Sequence, residues 1–371
     1  MDITPFFKLM VDKGASDLFF SVGAPPNIKI EGILAPVGQT PLKPQQMAEI
    51  ALSLMSDEQR KEFESTLELN MALSINGVGR FRINLFRQRG DVSMVVRYIK
   101  SEIPSIEQLN LPLILQSIVM ELRGLVLVVG ATGSGKSTTL ASMIDHRNQN
   151  YRGHILTIED PIEYIHEHKK SIVDQREVGI DTLTYDNALK NAMREAPDVI
   201  LIGEIRERSS MKHAISYAET GHLCISTLHA NNANQALDRV INFFPEDGRR
   251  QTLLDLSLNL RAIISLRLVP GLKNQRMAAV EILLNTPYIA DLIEKGKVDE
   301  IKGVMERSTE QGMQTFDKAL LKLYHNGSIS KESAIKFADS KNNVSLQIRL
   351  NGGENLDNPD DNLTIESDDI L

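Results

Sequence analysis

Eight consecutive residues, Gly130-Ala131-Thr132-Gly133-Ser134-Gly135-Lys136-Ser137, satisfy the spacing G-x-x-x-x-G-K-[ST] directly after the apolar run 125–129. That spacing is built for phosphate. Three glycines let the backbone wrap a polyphosphate with its N–H groups turned inward, and a helix starting near Ser137 adds its positive end from below. Lys136 is placed to reach the β- and γ-phosphates of a nucleoside triphosphate, and the Ser137 hydroxyl to hold Mg²⁺. The cradle is expected to run from Gly130 to Thr138. A glycine-rich turn without a nucleotide is the weaker reading, because the full match sits between a strand-like run and a helix. The chain is therefore expected to bind ATP or GTP.

Downstream, the segment Thr157-Ile158-Glu159-Asp160-Pro161-Ile162-Glu163 places three carboxylates within five residues. Such a group can hold Mg²⁺ through water and orient or deprotonate an attacking water. Glu204 follows the run 199–203, where many P-loop proteins carry an aspartate, and can reach the metal through a bound water. His222 and His229 bracket the run 222–227. Seven residues apart on an extended strand, they face opposite sides, so both serve one site only if the strand ends before His229. Plainer readings exist for each: a helix N-terminus with a solvated acidic loop, and structural histidines. A zinc site from His222, Cys224 and His229 lacks a fourth ligand, and strand alternation would splay the three. The catalytic reading gains from order, since phosphate loop, acids, Glu204 and histidines fall where a P-loop sheet presents them to one nucleotide.

The frame that must position these residues is an α/β chain of about two domains, given 371 residues with 42% hydrophobic and 24% charged. Up to about residue 99, helical and strand signals mix, with strands and turns at 16–21 and 25–30. The stretch 80–85 alternates, with Arg80, Arg82 and Asn84 on one face and Phe81, Ile83 and Leu85 on the other. That polar face is either simply solvated or able to deliver guanidinium groups to phosphoryl oxygens. Pro104 and Pro112 mark a connection, with a hinge expected near 101–112. Beyond 124, strand-length runs at 125–129, 154–159, 199–203 and 222–227 alternate with helical patterns, which predicts a parallel sheet with crossover helices. Met211, Ala214, Ile215 and Ala218 mark one such helix, with Gly221 as its stop. In such sheets ligands bind at the carboxyl ends of the strands. The expected division is 1–100, a linker 101–115, an ATPase domain 116–350 and a tail 351–371.

Composition narrows the class. The single cysteine, Cys224, excludes an internal disulfide framework and suits a reducing cytoplasm. No apolar run is long enough to cross a bilayer, and the start lacks signal-peptide character, so any membrane role is expected to be peripheral. The net charge of −8 is concentrated in the tail, where Glu354, Asp357, Asp360, Asp361, Glu366, Asp368 and Asp369 stand without a Lys or Arg. A disordered tail is expected there, either a solvated end or a docking peptide. A nucleic-acid motor is disfavoured, because no basic tract is interleaved with aromatics and tryptophan is absent.

The phosphate loop, the acidic box 157–163, the box Asp198-Val199-Ile200-Leu201-Ile202-Gly203-Glu204 and the box 219–229 together resemble those of secretion and pilus ATPases. To about Leu350 the chain is similar to the PilT/PilU family of type IV pilus retraction motors. The stretches Glu219-Thr220-Gly221-His222-Leu223-Cys224, His229-Ala230-Asn231-Asn232-Ala233-Asn234-Gln235-Ala236-Leu237 and Arg307-Ser308-Thr309-Glu310-Gln311-Gly312-Met313-Gln314-Thr315-Phe316-Asp317 resemble its accessory, PilU-type branch. The resemblance implies a PAS-like α+β N-terminal domain, a RecA-like ATPase domain, ATP with Mg²⁺, and a homo-oligomeric, hexameric ring. It implies partnership with a PilT-type ATPase and an inner-membrane platform protein at the cytoplasmic side of the pilus base. It further implies that Glu163 acts on the attacking water, that Glu204 holds Mg²⁺ through water, that Glu159 belongs to the acidic site, and that His229 senses the γ-phosphate with His222 nearby. Arg82 and Arg97 match the family's N-terminal arginines. Two departures favour the accessory branch: Leu18-Phe19-Phe20 lacks the usual His of the PilT type, and 288–295 lacks its Ala-Ile-Arg-Asn-Leu-Ile-Arg-Glu motif. The remaining alternative is a nucleotide-binding regulatory subunit whose own hydrolysis is dispensable.

Overall fold

The computed structural model describes residues 3–30, 32–272, 275–308 and 312–352, the side chains of 351 and 352 excepted. The expected acidic tail lies outside the described side chains. The first sheet is antiparallel and contains β1 (Asp17–Phe20), β2 (Asn27–Ile30), β3 (Ile33–Pro36), β4 (Glu68–Ile75), β5 (Gly79–Gln88) and β6 (Asp91–Ile99). Its order is β3-β2-β1-β6-β5-β4. Period-two alternation sends Phe81, Ile83 and Leu85 of β5 and Met94 and Val96 of β6 inward. They share a core with Phe7 and Met10 of the helix Thr4–Asp12 and Met47 and Ile50 of the helix Pro44–Leu54. The opposite face of β5 carries Arg80, Arg82 and Asn84, as the alternation predicts, and Arg82 lies directly across from Arg97 of β6.

The second sheet contains β7 (Gly124–Gly130), β8 (His154–Glu159), β9 (Ile172–Glu177), β10 (Val199–Ile202), β11 (Leu223–Leu228), β12 (Leu260–Pro270) and β13 (Arg276–Leu284). Its order is β13-β12-β7-β11-β10-β8-β9. Six strands run parallel and β13 returns antiparallel against β12, so the sheet is mixed rather than wholly parallel. The four strands read from the sequence match β7, β8, β10 and β11 to within a residue. Their continuous apolar character follows from burial on both faces. Leu125, Leu127 and Val129 pack with Met211, Ala214 and Ala218 of the helix Arg208–Glu219. Val126 and Val128 pack on the other side with Leu140, Met143 and Ile144 of the helix Lys136–Asn150. Beyond the helix Arg208–Glu219, Gly221 takes the left-handed conformation at φ +101°, which a glycine adopts without steric cost.

The expected linker is not a free connector. Ile106, Leu111 and Leu115 are buried in the core beneath the helix Lys136–Asn150, and Ser142 Oγ donates to the Pro104 carbonyl at 2.7 Å. On its other side, the Ile165 amide donates to the Lys100 carbonyl at 3.0 Å. Of the stretch 101–112 expected to be a hinge, the part from Pro104 onward is held to the second core by burial and by the Ser142–Pro104 hydrogen bond. The two sheets also meet through a side-chain pair, Arg82 Nη1 lying 3.5 Å from Glu177 Oε1.

If the segment from Ile106 onward belongs to the second core, Ile106→Ala should lower unfolding stability by about 2–4 kcal/mol. Glu102→Ala, at an exposed position, should change it by less than ~0.5 kcal/mol. Denaturant titration of the two variants checks this pair of outcomes.

Candidate active site

The carboxyl ends of β7, β8, β10 and β11 lie side by side, since Ile158 pairs with Ile202, Ile202 with Ser226 and Val129 with Leu228. Whatever follows those strands is delivered to one place. There a cavity of about 510 Å³ is lined by Thr132, Gly133, Gly135, Lys136, Ser137 and Thr138 on one side. Glu159, Asp160, Glu163, Glu204 and His229 line it as well.

The loop backbone is held open by glycine. Gly130 leaves β7 at φ +152°, and a Cβ there would stand 2.6 Å from the Leu266 carbonyl oxygen and against Ser134 Oγ. Gly133 and Gly135 take φ of +75° and +96°, values that L side chains adopt only with strain. Gly135 caps the helix Lys136–Asn150, which begins one residue earlier than expected. Lys136 Nζ donates to the carbonyls of Gly130 at 2.9 Å and Ala131 at 3.1 Å, which fixes the ammonium over the loop. Desolvation lowers the pKa of Lys136, opposed by the nearby Glu204 and Glu163 carboxylates.

The acids are not equivalent. Glu159 accepts from the Thr157 hydroxyl at 2.7 Å and from Gln175 Nε2 at 3.2 Å. Desolvation nonetheless raises its pKa to about 7, with Glu163 and Glu177 adding to the rise. Glu163 is exposed toward the cavity. Glu204 is clamped on both oxygens, Oε1 lying 2.9 Å from His229 Nε2 and Oε2 accepting from Arg206 Nε at 2.8 Å. Arg206 also reaches Asp160 Oδ2 at 3.6 Å. Behind them, Tyr164 hydrogen-bonds the Thr138 hydroxyl at 3.0 Å, tying the acidic segment to the loop helix. His166, buried under the same helix, is pushed down to about 4 by desolvation and stays neutral near pH 7.

Three candidates from the sequence do not reach the cavity. β11 does end before His229, but His222 precedes its first residue, so the two histidines sit at opposite ends of a strand roughly 20 Å long. His222 instead hydrogen-bonds the Thr220 hydroxyl at 3.1 Å. This corrects the expectation of His222 near His229 within one chain. Arg97 pairs with Asp17 at 2.9 Å and Arg82 with Glu177, so neither arginine lines the cavity in this conformation. Conversely, Arg206, Gln175 and Tyr164 bond residues of the site without belonging to any expected set. Arg206 stands two residues past Glu204 and was legible from that spacing. Gln175 lies on the polar edge strand β9, where no periodicity marks it.

For Mg²⁺ the donors fit: Ser137 and Glu204 line the same cavity and offer hard oxygens. A phosphate cradle facing carboxylates at the ends of parallel strands defines a P-loop ATPase. The family of Type II/IV secretion system proteins matches residues 2–349. Over 358 residues the chain is 54% identical to the type IV pilus ATPase PilU of Pseudomonas aeruginosa, spanning 96% of this chain and 94% of that protein. It is 42% identical over 334 residues to the pilus retraction ATPase PilT of the same organism, spanning 90% and 97%. A crystal structure of the pilus retraction motor PilT with bound ADP superposes with a TM-score of 0.85 at 40% identity, over 92% of this chain and 98% of that one. The chain belongs to the Type II/IV secretion system protein family and, within it, is similar to PilU.

The raised Glu159 pKa carries a stability consequence. A carboxyl whose folded pKa exceeds its unfolded value favours folding at low pH, and that stability is lost as pH rises from about 4.5 to about 7. Glu159→Gln should therefore stabilise the fold more near pH ~8 than near pH ~5, read as denaturation midpoints of variant against parent.

Proposed function

We propose that the chain is an ATP-hydrolysing motor subunit of PilU type that powers or assists type IV pilus retraction. The observation that carries this reading is the convergence of Lys136, Ser137, Glu163 and the Glu204–His229 pair on one cavity. Similarity to PilU and PilT over nearly the whole of each supports the pilus role. Loop amides and Lys136 bind the phosphates, and Glu163, exposed in the cavity, orients and deprotonates the attacking water. Glu159 lies beside Glu163 as the protonatable neighbour. His229, beside Glu204 in the same cavity, is the γ-phosphate sensor in this reading. Ser137 and, through water, Glu204 would hold Mg²⁺, which neutralises charge on the β- and γ-oxygens when bound.

The N-terminal unit, residues 1–100, is PAS-like in this reading, and 116–350 form a RecA-like ATPase domain. Short pivots near Lys100–Pro104 let the first sheet move against the second, so that Arg82 and Arg97 close over phosphate after leaving Glu177 and Asp17. The subunits form a hexameric ring that works with a PilT-type ATPase against a platform protein, on the cytoplasmic side of the inner membrane. Among the described residues no helix is long and apolar enough to cross a membrane.

Lys136→Ala should cut hydrolysis by about a hundredfold or more, measured as phosphate release by the purified chain. Undiminished turnover would refute the assignment. Glu163→Gln should lower kcat by about 10²–10⁴ while ATP affinity stays within about twofold, because a water-activating group acts in the transition state. Equal losses of binding and turnover would make Glu163 a metal-holding or structural residue. In a deletion strain, twitching should fall, and return with the parent chain. Restoration by Lys136→Ala only where the PilT-type partner remains would assign the chain a regulatory share of the work.

A further inference from the structure

A triphosphate brings several negative charges into a cavity whose lining already holds Glu159, Asp160, Glu163 and Glu204. The cations that line it are mostly committed. Lys136 holds two loop carbonyls and Arg206 is shared between Glu204 and Asp160, while the His229 imidazole lies against Glu204. Among the described residues, the remaining Lys or Arg of the lining, Arg276, makes no hydrogen bond or ion pair with its guanidinium. It stands at the first position of β13, across from Pro270 of β12. β12 runs beside β7 and brings the Leu266 carbonyl against Gly130, so the hairpin end bearing Arg276 adjoins the phosphate loop. A second cavity of about 290 Å³ borders that loop, lined by Ala131, Thr132, Gly133, Ser134, Asn231 and Arg276 among others. Arg276, Thr132 and Gly133 are common to both cavities.

We infer that Arg276 is a substrate-binding residue of the same site, its guanidinium contacting the phosphate chain of the nucleotide from the side opposite the carboxylates. The inference rests on the reading of this cavity as an ATP site. A planar fork of donors suits phosphate oxygens, and charge-assisted bonds of this type are among the stronger ones a site can offer. Because the residue lies on β13, it reaches the phosphate loop from an element outside the four strands that carry the acids and His229. No motif marks such a residue in the sequence.

Calorimetric titration of the full chain with Mg-ATP, Mg-ADP and adenosine tests this, using the parent, Lys136→Ala, Arg276→Ala and Arg276→Lys. Arg276→Ala should weaken ATP and ADP binding about tenfold or more at unchanged melting temperature and unchanged oligomeric state. Arg276→Lys should recover part of the loss, keeping the charge without the fork. Adenosine, which carries no phosphate, should bind the Arg276→Ala chain as it binds the parent. Parent-like ATP affinity of Arg276→Ala would overturn the inference while leaving the ATP site standing. Weakening that appears only together with altered oligomerisation would overturn it in favour of a contact between copies. A parent chain that binds no ATP would overturn the reading of the cavity and this inference with it.

Discussion

The approach of the Leu266 carbonyl to Gly130 is the constraint around which the site is built. At that point β7 must turn out of the sheet while β12 still runs alongside it, and the space left holds no side chain. Once the turn is made, Gly133 and Gly135 curl the loop and the helix Lys136–Asn150 begins with its amides facing back toward the cavity. The ammonium of Lys136 then closes the curl by binding the carbonyls of its own loop. Everything opposite is set by register: β8, β10 and β11 end level with β7 because their backbones are paired residue for residue. Register brings the acids and His229 to the mouth of the cavity, and the bonds of Glu204 with His229 and Arg206 and of Tyr164 with Thr138 hold them there.

What the sequence disclosed and what it withheld divide along physical lines. Strands β7, β8, β10 and β11 were legible because burial on both faces makes them unbroken apolar runs, and the helix Arg208–Glu219 because its apolar positions recur at helical spacing. The phosphate loop and the acids were legible because their chemistry demands particular residue types at fixed intervals. β9 escaped because it is a polar edge strand, and the antiparallel return of β13 because orientation leaves no trace in hydrophobic pattern. Distance across the fold was equally hidden. His222 and His229 share a motif yet stand at opposite ends of a strand, whereas Gln175 reaches Glu159 from a neighbouring strand sixteen residues on. The stretch 101–115 reads as a connector from its prolines, and only packing reveals Ile106 and Leu111 as core.

Electrostatically the cavity is balanced by internal pairing rather than by excess positive charge. His229 and Arg206 share Glu204, Thr157 and Gln175 support Glu159, and desolvation, aided by Glu163 and Glu177, raises the Glu159 pKa to about 7. Such mutual satisfaction rigidifies a polar site in a low-dielectric setting.

The Arg82–Glu177 pair joins the two sheets at a point where Glu177 is wholly buried and its Oε1 has no hydrogen bond, the guanidinium being its charge partner at 3.5 Å. Desolvation already raises the Glu177 pKa, and Arg82 opposes that rise. Removing the arginine would leave a buried carboxylate without its nearest charge partner, at a cost of several kcal/mol. The joint between the sheets is accordingly a latch in this conformation, and not a loose bearing.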